Sequence, residues 1–211
     1  MTRRFFARTV PALALATAVG AATSIPLSGA QGASPTPLTI NTGRITIDGS
    51  SNVHEWTAST TAVRVTRAQL AAPMSGPDVW ADLVKPGALA GFEIAIPAAS
   101  LSSPKEGLDK NMHKALNVKE YPEITFRLLR LEPGAAGALK GLGMLRIAGV
   151  EREVALDLKT ERTVETMTVK GSVDLLMTDY GIKPPKAMLG MLKTDPKVTV
   201  TFETVLAVPL T

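Results

Sequence analysis

The residue types that could carry chemistry are few: His54 beside Glu55, His113, and the pair Asp179 and Tyr180. Two histidines and one adjacent carboxylate suggest a metal pair or an acid–base couple. A zinc site asks for three or four ligands held by hydrogen-bonded supporting groups, and this set falls short. Acid–base work needs a partner within hydrogen-bond reach, and no spacing here supplies one. Asp179 and Tyr180 stand just before Gly181 and read as a turn rather than as contacts to a head group. The absence of cysteine excludes disulfides, thiol catalysis and thiolate metal sites. The chain is therefore read as a protein that is not an enzyme, with neither metal nor cofactor.

The methionines suggest a different kind of chemistry. Met112, Met144, Met167, Met177, Met188 and Met191 fall on or near positions expected to face inward. Methionine is flexible and polarizable and suits an adaptable apolar surface. For any single methionine, core filling is the simpler reading. As a group, with aromatics at 4%, they fit a cavity that accepts a flexible chain. Each buried methylene of such a chain contributes about 0.8 kcal/mol.

The stretch around residues 104–126 must position much of this. Ser103, Pro104 and Glu106 read as a helix start with a hydroxyl cap, proline at the first helical position and a returning carboxylate. Leu108, Met112 and Leu116 recur at four-residue steps on one face, and Asn117 suits the helix end. Pro122 stops the helix. After it Ile124, Phe126 and Leu128 alternate with Thr125 and Arg127, the period of a strand. The alternation switches parity between Leu128 and Leu129, which predicts a bulge.

Around this stretch the sequence reads as strands. Ile45 and Ile47, residues 54–66 with Trp56, then Phe92, Ile94 and Ile96 alternate with polar or small residues. So do residues 139–147, Val154 to Leu158, Met167 to Met177, and Val198, Val200 and Phe202. Residues 73–91 read as irregular, and residues 183–192 as a helical turn. About eight strands, most with one apolar and one polar face, predict an antiparallel sheet. The expected fold is all-β: an eight-stranded antiparallel lipocalin-like barrel with one or two short helices, wide enough for one small ligand. The 108–116 helix is expected to help enclose the interior, with residues 188–192 as the other cover.

Arg3, Arg4 and Arg8 precede an apolar run at residues 10–22, and no charge occurs from residue 9 to 43. Residues 1–30 read as a signal peptide resembling the twin-arginine type, and residues 31–37 as a flexible lead-in to a domain at 38–211. Loss of the three arginines takes the net charge from +4 to +1, so the basicity is mostly export signal. No Lys/Arg-rich run remains, which argues against nucleic-acid binding. The apolar run is short for a stable membrane span. The expected location is periplasmic or secreted. A homodimer is compatible with the sequence, which does not fix the oligomeric state.

Four segments carry a resemblance. They are Ser51-Asn52-Val53-His54-Glu55-Trp56; Leu116-Asn117-Val118-Lys119-Glu120-Tyr121-Pro122-Glu123-Ile124-Thr125-Phe126; residues 141–150 followed by Glu151-Arg152-Glu153-Val154; and Asp179-Tyr180-Gly181-Ile182. In this order, over roughly residues 38–208, the chain resembles the YceI-like family of polyisoprenoid-binding, lipocalin-like periplasmic proteins. The resemblance implies a barrel holding a long-chain isoprenoid or lipid, such as a polyisoprenoid, an isoprenoid quinone or a fatty-acid derivative, for transport, storage or sequestration. The candidate lining is Trp56, Phe92, Ile94, Met112, Leu116, Ile124, Phe126, Met144, Leu175, Met177, Met188, Met191 and Phe202. Two departures stand out: the first strands lack the second histidine often seen in the family, and Lys183-Pro184-Pro185-Lys186 reads as an insertion. The alternative function is an envelope or stress-response interaction module with a packed barrel and no ligand.

Overall fold

The computed structural model of the protein describes residues 38–72, 79–134, 138–187 and 191–207. Its strands are β1 (Thr39–Ser51), β2 (Glu55–Thr60), β3 (Arg64–Leu70), β4 (Leu89–Pro97), β5 (Glu123–Pro133), β6 (Leu139–Ile147), β7 (Val150–Arg162), β8 (Thr166–Leu176), β9 (Lys186–Ala187) and β10 (Leu192–Ala207). Two short helices interrupt them, α1 (Val79–Leu83) and α2 (Glu106–Ala115). Nine strands form one antiparallel sheet in the order β2-β1-β10-β8-β7-β6-β5-β4-β3, and β9 pairs with β10 off that path. From β3 to β8 the path is a meander, so each strand lies beside its chain neighbour.

The sheet is curled. β2 and β3 are the terminal strands of the order, joined directly through residues 61–63. At residue 59 the edge of β2 is closed: Ser59 and Ser102 exchange both backbone hydrogen bonds, at 2.8 and 3.0 Å. Next to them the Thr60 and Ser100 hydroxyls lie 2.7 Å apart. The bridge covers the β2 edge at this one point.

One expected strand proves to be two, which raises the sheet from eight strands to nine. The 54–66 segment breaks because Thr60 and Thr61 bond locally. Ala62 donates to the Thr60 hydroxyl at 3.0 Å, and Val63 donates to the Thr61 carbonyl at 3.0 Å. The chain thereby leaves β1's flank as β2 and joins β4's flank as β3.

The parity switch in β5 is a real bulge, with the β5–β6 register shifting between Leu128 and Arg130. Leu129 is the extra residue and is 41% exposed, while Leu128 and Leu131 both face inward. β1 does the same, with a shift between Ile40 and Thr42 that keeps both Ile40 and Ile45 inside. β6 and β7 join through a two-residue turn, Ala148 and Gly149 at φ 47° and 81°. Positive φ at both positions is the hairpin turn whose twist matches the strands.

The α2 helix begins two residues later than its sequence suggests. Lys105 is the N-cap and makes no side-chain cap bond. Ser103 instead accepts from the Lys105 N–H at 3.1 Å, and Asp109 reaches back to the Ser103 N–H at 2.8 Å. The returning carboxylate is thus Asp109. Glu106 pairs with Lys110 one turn on, at 2.7 Å. The C-terminus does end on Asn117, at φ 49°. Val118 donates to the His113 carbonyl and Asn117 to that of Lys114, the paired bonds of a Schellman stop.

The 73–91 segment, expected to be irregular, contains α1 and the start of β4. Trp80 and Leu83 of α1 are each 3% exposed and pack with Leu38, Met167 and Leu206. α1 thus caps the barrel where β1 and β8 begin and β10 ends. At the other end α2, the 3₁₀ turn Met177–Tyr180 and Ile182 gather around Leu101, Ile124, Leu175 and Val198. Three apolar clusters line the interior and leave a hollow between them.

Candidate functional site

Between the two caps lies a hollow of about 210 Å³. Its wall is built by alternation: Ile45 and Ile47 from β1, Phe92, Ile94 and Ile96 from β4, and Ile124, Phe126 and Leu128 from β5. Leu145, Val154, Leu156, Leu158, Val173, Leu175, Val200 and Phe202 complete the circuit through β6, β7, β8 and β10. Among the described residues, Thr160 and Thr204 are the only polar side chains in the lining, and both register against Val169 of β8. No charged group of the described residues enters. Such a wall can hold an apolar chain by burial and offers no fixed dipoles for a charged substrate.

A second hollow of about 110 Å³ lies under α2. Leu108, Met112 and Leu116 cover it from the helix, with Trp56, Met177, Tyr180 and Pro185 around its sides. It shares Ile47, Leu101, Ile124, Ile147, Leu175 and Val200 with the larger hollow. The two therefore stand end to end across a common wall, and α2 is the cover of the second. No residue of α2 is fully buried.

Glycine and aromatic positions set the width of the interior. Phe126 lies over Gly143, Phe202 over Gly171, and Trp56 over Gly49, in each case across a strand boundary. The glycines lack a side chain where each ring must lie flat. The rings in turn cover backbone that glycine would leave bare. The Trp56 indole also donates to the Ser50 carbonyl at 3.3 Å.

The candidate lining residues divide as follows. Phe92, Ile94, Phe126 and Phe202 line the larger hollow, Trp56, Met112, Leu116 and Met177 the smaller, and Ile124 and Leu175 both. Met144 and Met191 line neither, which corrects their assignment. On β6 the inward positions are Leu139, Gly141, Gly143, Leu145 and Ile147, so Met144 lies on the outer face. Two inward glycines hide that parity from the sequence. Met191 precedes β10 and is 68% exposed. Met188 lies outside the described residues. Met167 lines the larger hollow. The residues not singled out in advance are mostly branched aliphatics, such as Val154, Leu156, Val173 and Val200. Their alternation was visible, but ordinary core strands alternate identically. Leu83 and Val84 also line the hollow, and they lay in the segment read as irregular.

The titratable candidates have structural duties. His113 bonds the Leu101 carbonyl through Nε2 at 2.8 Å, fastening α2 to the loop after β4. His54 is exposed in the β1–β2 turn, with its N–H donating to the Ser51 hydroxyl at 3.1 Å. Tyr180 is 3% exposed, and burial pushes its phenol above the ordinary value, Asp179 adding to the rise and Arg152 opposing it. Gly181 follows at φ 70°, and the Arg152 Nε donates to the Asp179 carbonyl at 3.1 Å. The Asp179–Ile182 element is thus a turn that drives Tyr180 and Ile182 into the end cap. The Tyr121 ring packs against Gly149 and ties the Tyr121–Phe126 element to the β6–β7 hairpin. The buried Trp80 indole N–H has no acceptor among the described residues. Among those residues, no helix is long and apolar enough to cross a membrane.

The family model described as a YceI-like domain matches residues 46–206. The crystal structure of BcnA from Burkholderia cenocepacia superposes with a TM-score of 0.61 at 12% identity, covering 78% of this chain and 96% of that one. A polyisoprenoid binding domain from Saccharophagus degradans, implicated in plant cell wall breakdown, superposes with a TM-score of 0.60 at 13% identity, covering 82% and 99%. At such identities the likeness is one of fold. No curated protein matches the chain.

Proposed function

Because the chain belongs to the YceI-like domain family, we propose that its barrel is a carrier that holds a long apolar molecule between α1 and α2. The observation that carries this reading is the hollow itself. An enclosed, empty apolar cavity costs roughly 24 cal/mol per Å³, so about 210 Å³ would cost at most roughly 5 kcal/mol if nothing occupied it. That is comparable to the whole net stability of many domains. An apolar chain removes the cost and adds about 0.8 kcal/mol for each methylene it buries. With hydroxyls only at Thr160 and Thr204 among the described residues, the wall selects for length and apolarity rather than for a head group. An isoprenoid or acyl chain fits that chemistry, and the related fold of a polyisoprenoid binding domain supports the isoprenoid. The reading as a module with a packed barrel expects no such hollow.

The basic and apolar character of residues 1–30 supports a carrier that works outside the cytoplasm, periplasmic or secreted. One experiment addresses both points. Protein recovered from the extracytoplasmic fraction without detergent is expected to start near residue 31 and to show a lipid adduct by native mass spectrometry. A clean apo mass that takes up no long-chain lipid, or a protein confined to the cytoplasm, would overturn the corresponding half.

The cover has its own test. Met112→Asp with Leu116→Asp places two carboxylates over the smaller hollow, on a helix that contributes no strand pairing. Retained lipid is expected to fall about tenfold or more, the ratio set by 1.4 kcal/mol, while far-UV circular dichroism keeps its strand signature. Unchanged lipid in a folded variant would reduce α2 to packing.

A further inference from the structure

Lys186 of β9 and Lys193 of β10 are direct cross-strand partners. Like charges directly opposite each other are unfavourable. Lys183 lies three residues before Lys186, and all three lysines are exposed. None has an ion-pair partner among the described residues. Asp195, two residues beyond Lys193, accepts from the Lys197 N–H at 2.9 Å.

Apolar side chains are held beside these cations. Asn52 clamps the β1–β2 turn to the start of β10 with three bonds. Its Nδ2 donates to the Met191 carbonyl at 2.9 Å, its Oδ1 accepts from the Lys193 N–H at 2.8 Å, and its own N–H donates to the Lys193 carbonyl at 3.1 Å. Val53 and Met191, each 68% exposed, are thereby fixed on one tip of the barrel. The same tip borders the interior. Thr194 donates to the Pro185 carbonyl at 3.1 Å, and both residues line the smaller hollow.

We propose that this tip, formed by Val53, Met191, Lys183, Lys186 and Lys193, is a docking surface for an anionic lipid bilayer. Charge complementarity selects the occupant: anionic head groups neutralise the opposed lysines, and the interfacial region receives Val53 and Met191. Each cation near such a surface is worth about a fivefold gain in partitioning. The site rests on the carrier reading, since docking here sets the Pro185 and Thr194 side of the smaller hollow against the source of an apolar ligand. The Lys183–Lys186 insertion gains a role that packing alone does not give it, because neither of its lysines has an ion-pair partner among the described residues.

The test is flotation of the full chain with vesicles of phosphatidylcholine alone or with added phosphatidylglycerol. The comparison protein carries Lys183→Ser, Lys186→Ser and Lys193→Ser. Both carry the same basic head at residues 1–30, so their ratio isolates the tip. The wild type is expected to partition roughly 100-fold more strongly onto the anionic vesicles than the triple variant does. High salt should shrink the difference. Val53→Ser with Met191→Ser should weaken binding while keeping its salt dependence. Equal partitioning of wild type and triple variant would overturn the proposal. So would displacement by soluble glycerol phosphate, which would mark a site for a free anion. Native mass spectrometry of the same samples keeps the two readings apart. An apo wild type that still floats fails the carrier, and a lipid-loaded wild type that does not float fails the docking surface.

Discussion

Val173→Phe with Val200→Phe is expected to empty the barrel of lipid without unfolding it. The two valines are direct partners on β8 and β10, and both face the larger hollow. Two rings placed there occupy the space in which a ligand chain would lie. Filling about half of the 210 Å³ recovers roughly 2–3 kcal/mol of cavity cost. Overpacking strain of about 1–3 kcal/mol opposes that gain. The net change in stability is therefore small, and co-purified lipid should fall by tenfold or more. Native mass spectrometry and a thermal melt of the same sample decide the matter. Retention of lipid at the wild-type level would show that the hollow is not where it binds. A collapse in Tm would show that the interior is already packed, which is the premise of the non-carrier alternative.

Gly143→Ala is expected to produce the largest loss of stability of any methyl-sized change in the barrel. An added Cβ would meet the Phe126 ring and stand 2.7 Å from the Arg127 carbonyl oxygen. The ring can turn aside, but the carbonyl belongs to the β5–β6 ladder and cannot. The cost should be about 2–4 kcal/mol, which lowers Tm by roughly 6–12 °C in a domain of this size. Gly107→Ala, where the added Cβ meets nothing within 4 Å, serves as the control and should be neutral or slightly stabilising. Combining Gly143→Ala with Phe126→Leu should restore little. Substantial rescue would mean that the ring, and not the backbone, fixes the glycine. Because Phe126 also lines the hollow, lipid content read alongside Tm reports whether the pairing shapes the cavity as well as the sheet.

Much of the fold was legible in the sequence, because antiparallel strands with one wet face write their period directly into the residues. The β5 bulge is the best instance: Leu128 and Leu129 break an otherwise strict alternation, and the register breaks there. Asn117 as helix terminator, the Tyr121–Phe126 element and the apolar face of α2 were legible for the same reason. Each is a local rule with a local cause. The fold family was legible because four such elements recur in a fixed order.

The failures were non-local. Thr60 and Thr61 look like strand residues, and only their bonds to Ala62, Val63 and Ser100 turn the chain from one sheet edge to the other. α1 is one short turn in a proline-rich segment, too brief for any periodicity. It exists because Trp80 and Leu83 find the barrel end beneath them. Asp109 displaced Glu106 as the capping partner because the chain enters the helix through Lys105, an entry set by Ser103 rather than by the cap pattern. Met144 was assigned inward because glycine gives no sign of which face it occupies.

The sequence by itself determined that this is an antiparallel β domain with an apolar face on nearly every strand. What only the tertiary structure decided is that the faces meet around space instead of around one another. Alternation specifies which side of a strand is dry, but not whether the dry sides touch. That depends on the curl of the sheet, on rings laid over Gly143, Gly171 and Gly49, and on two end caps that gather Trp80 and Tyr180 at the ends.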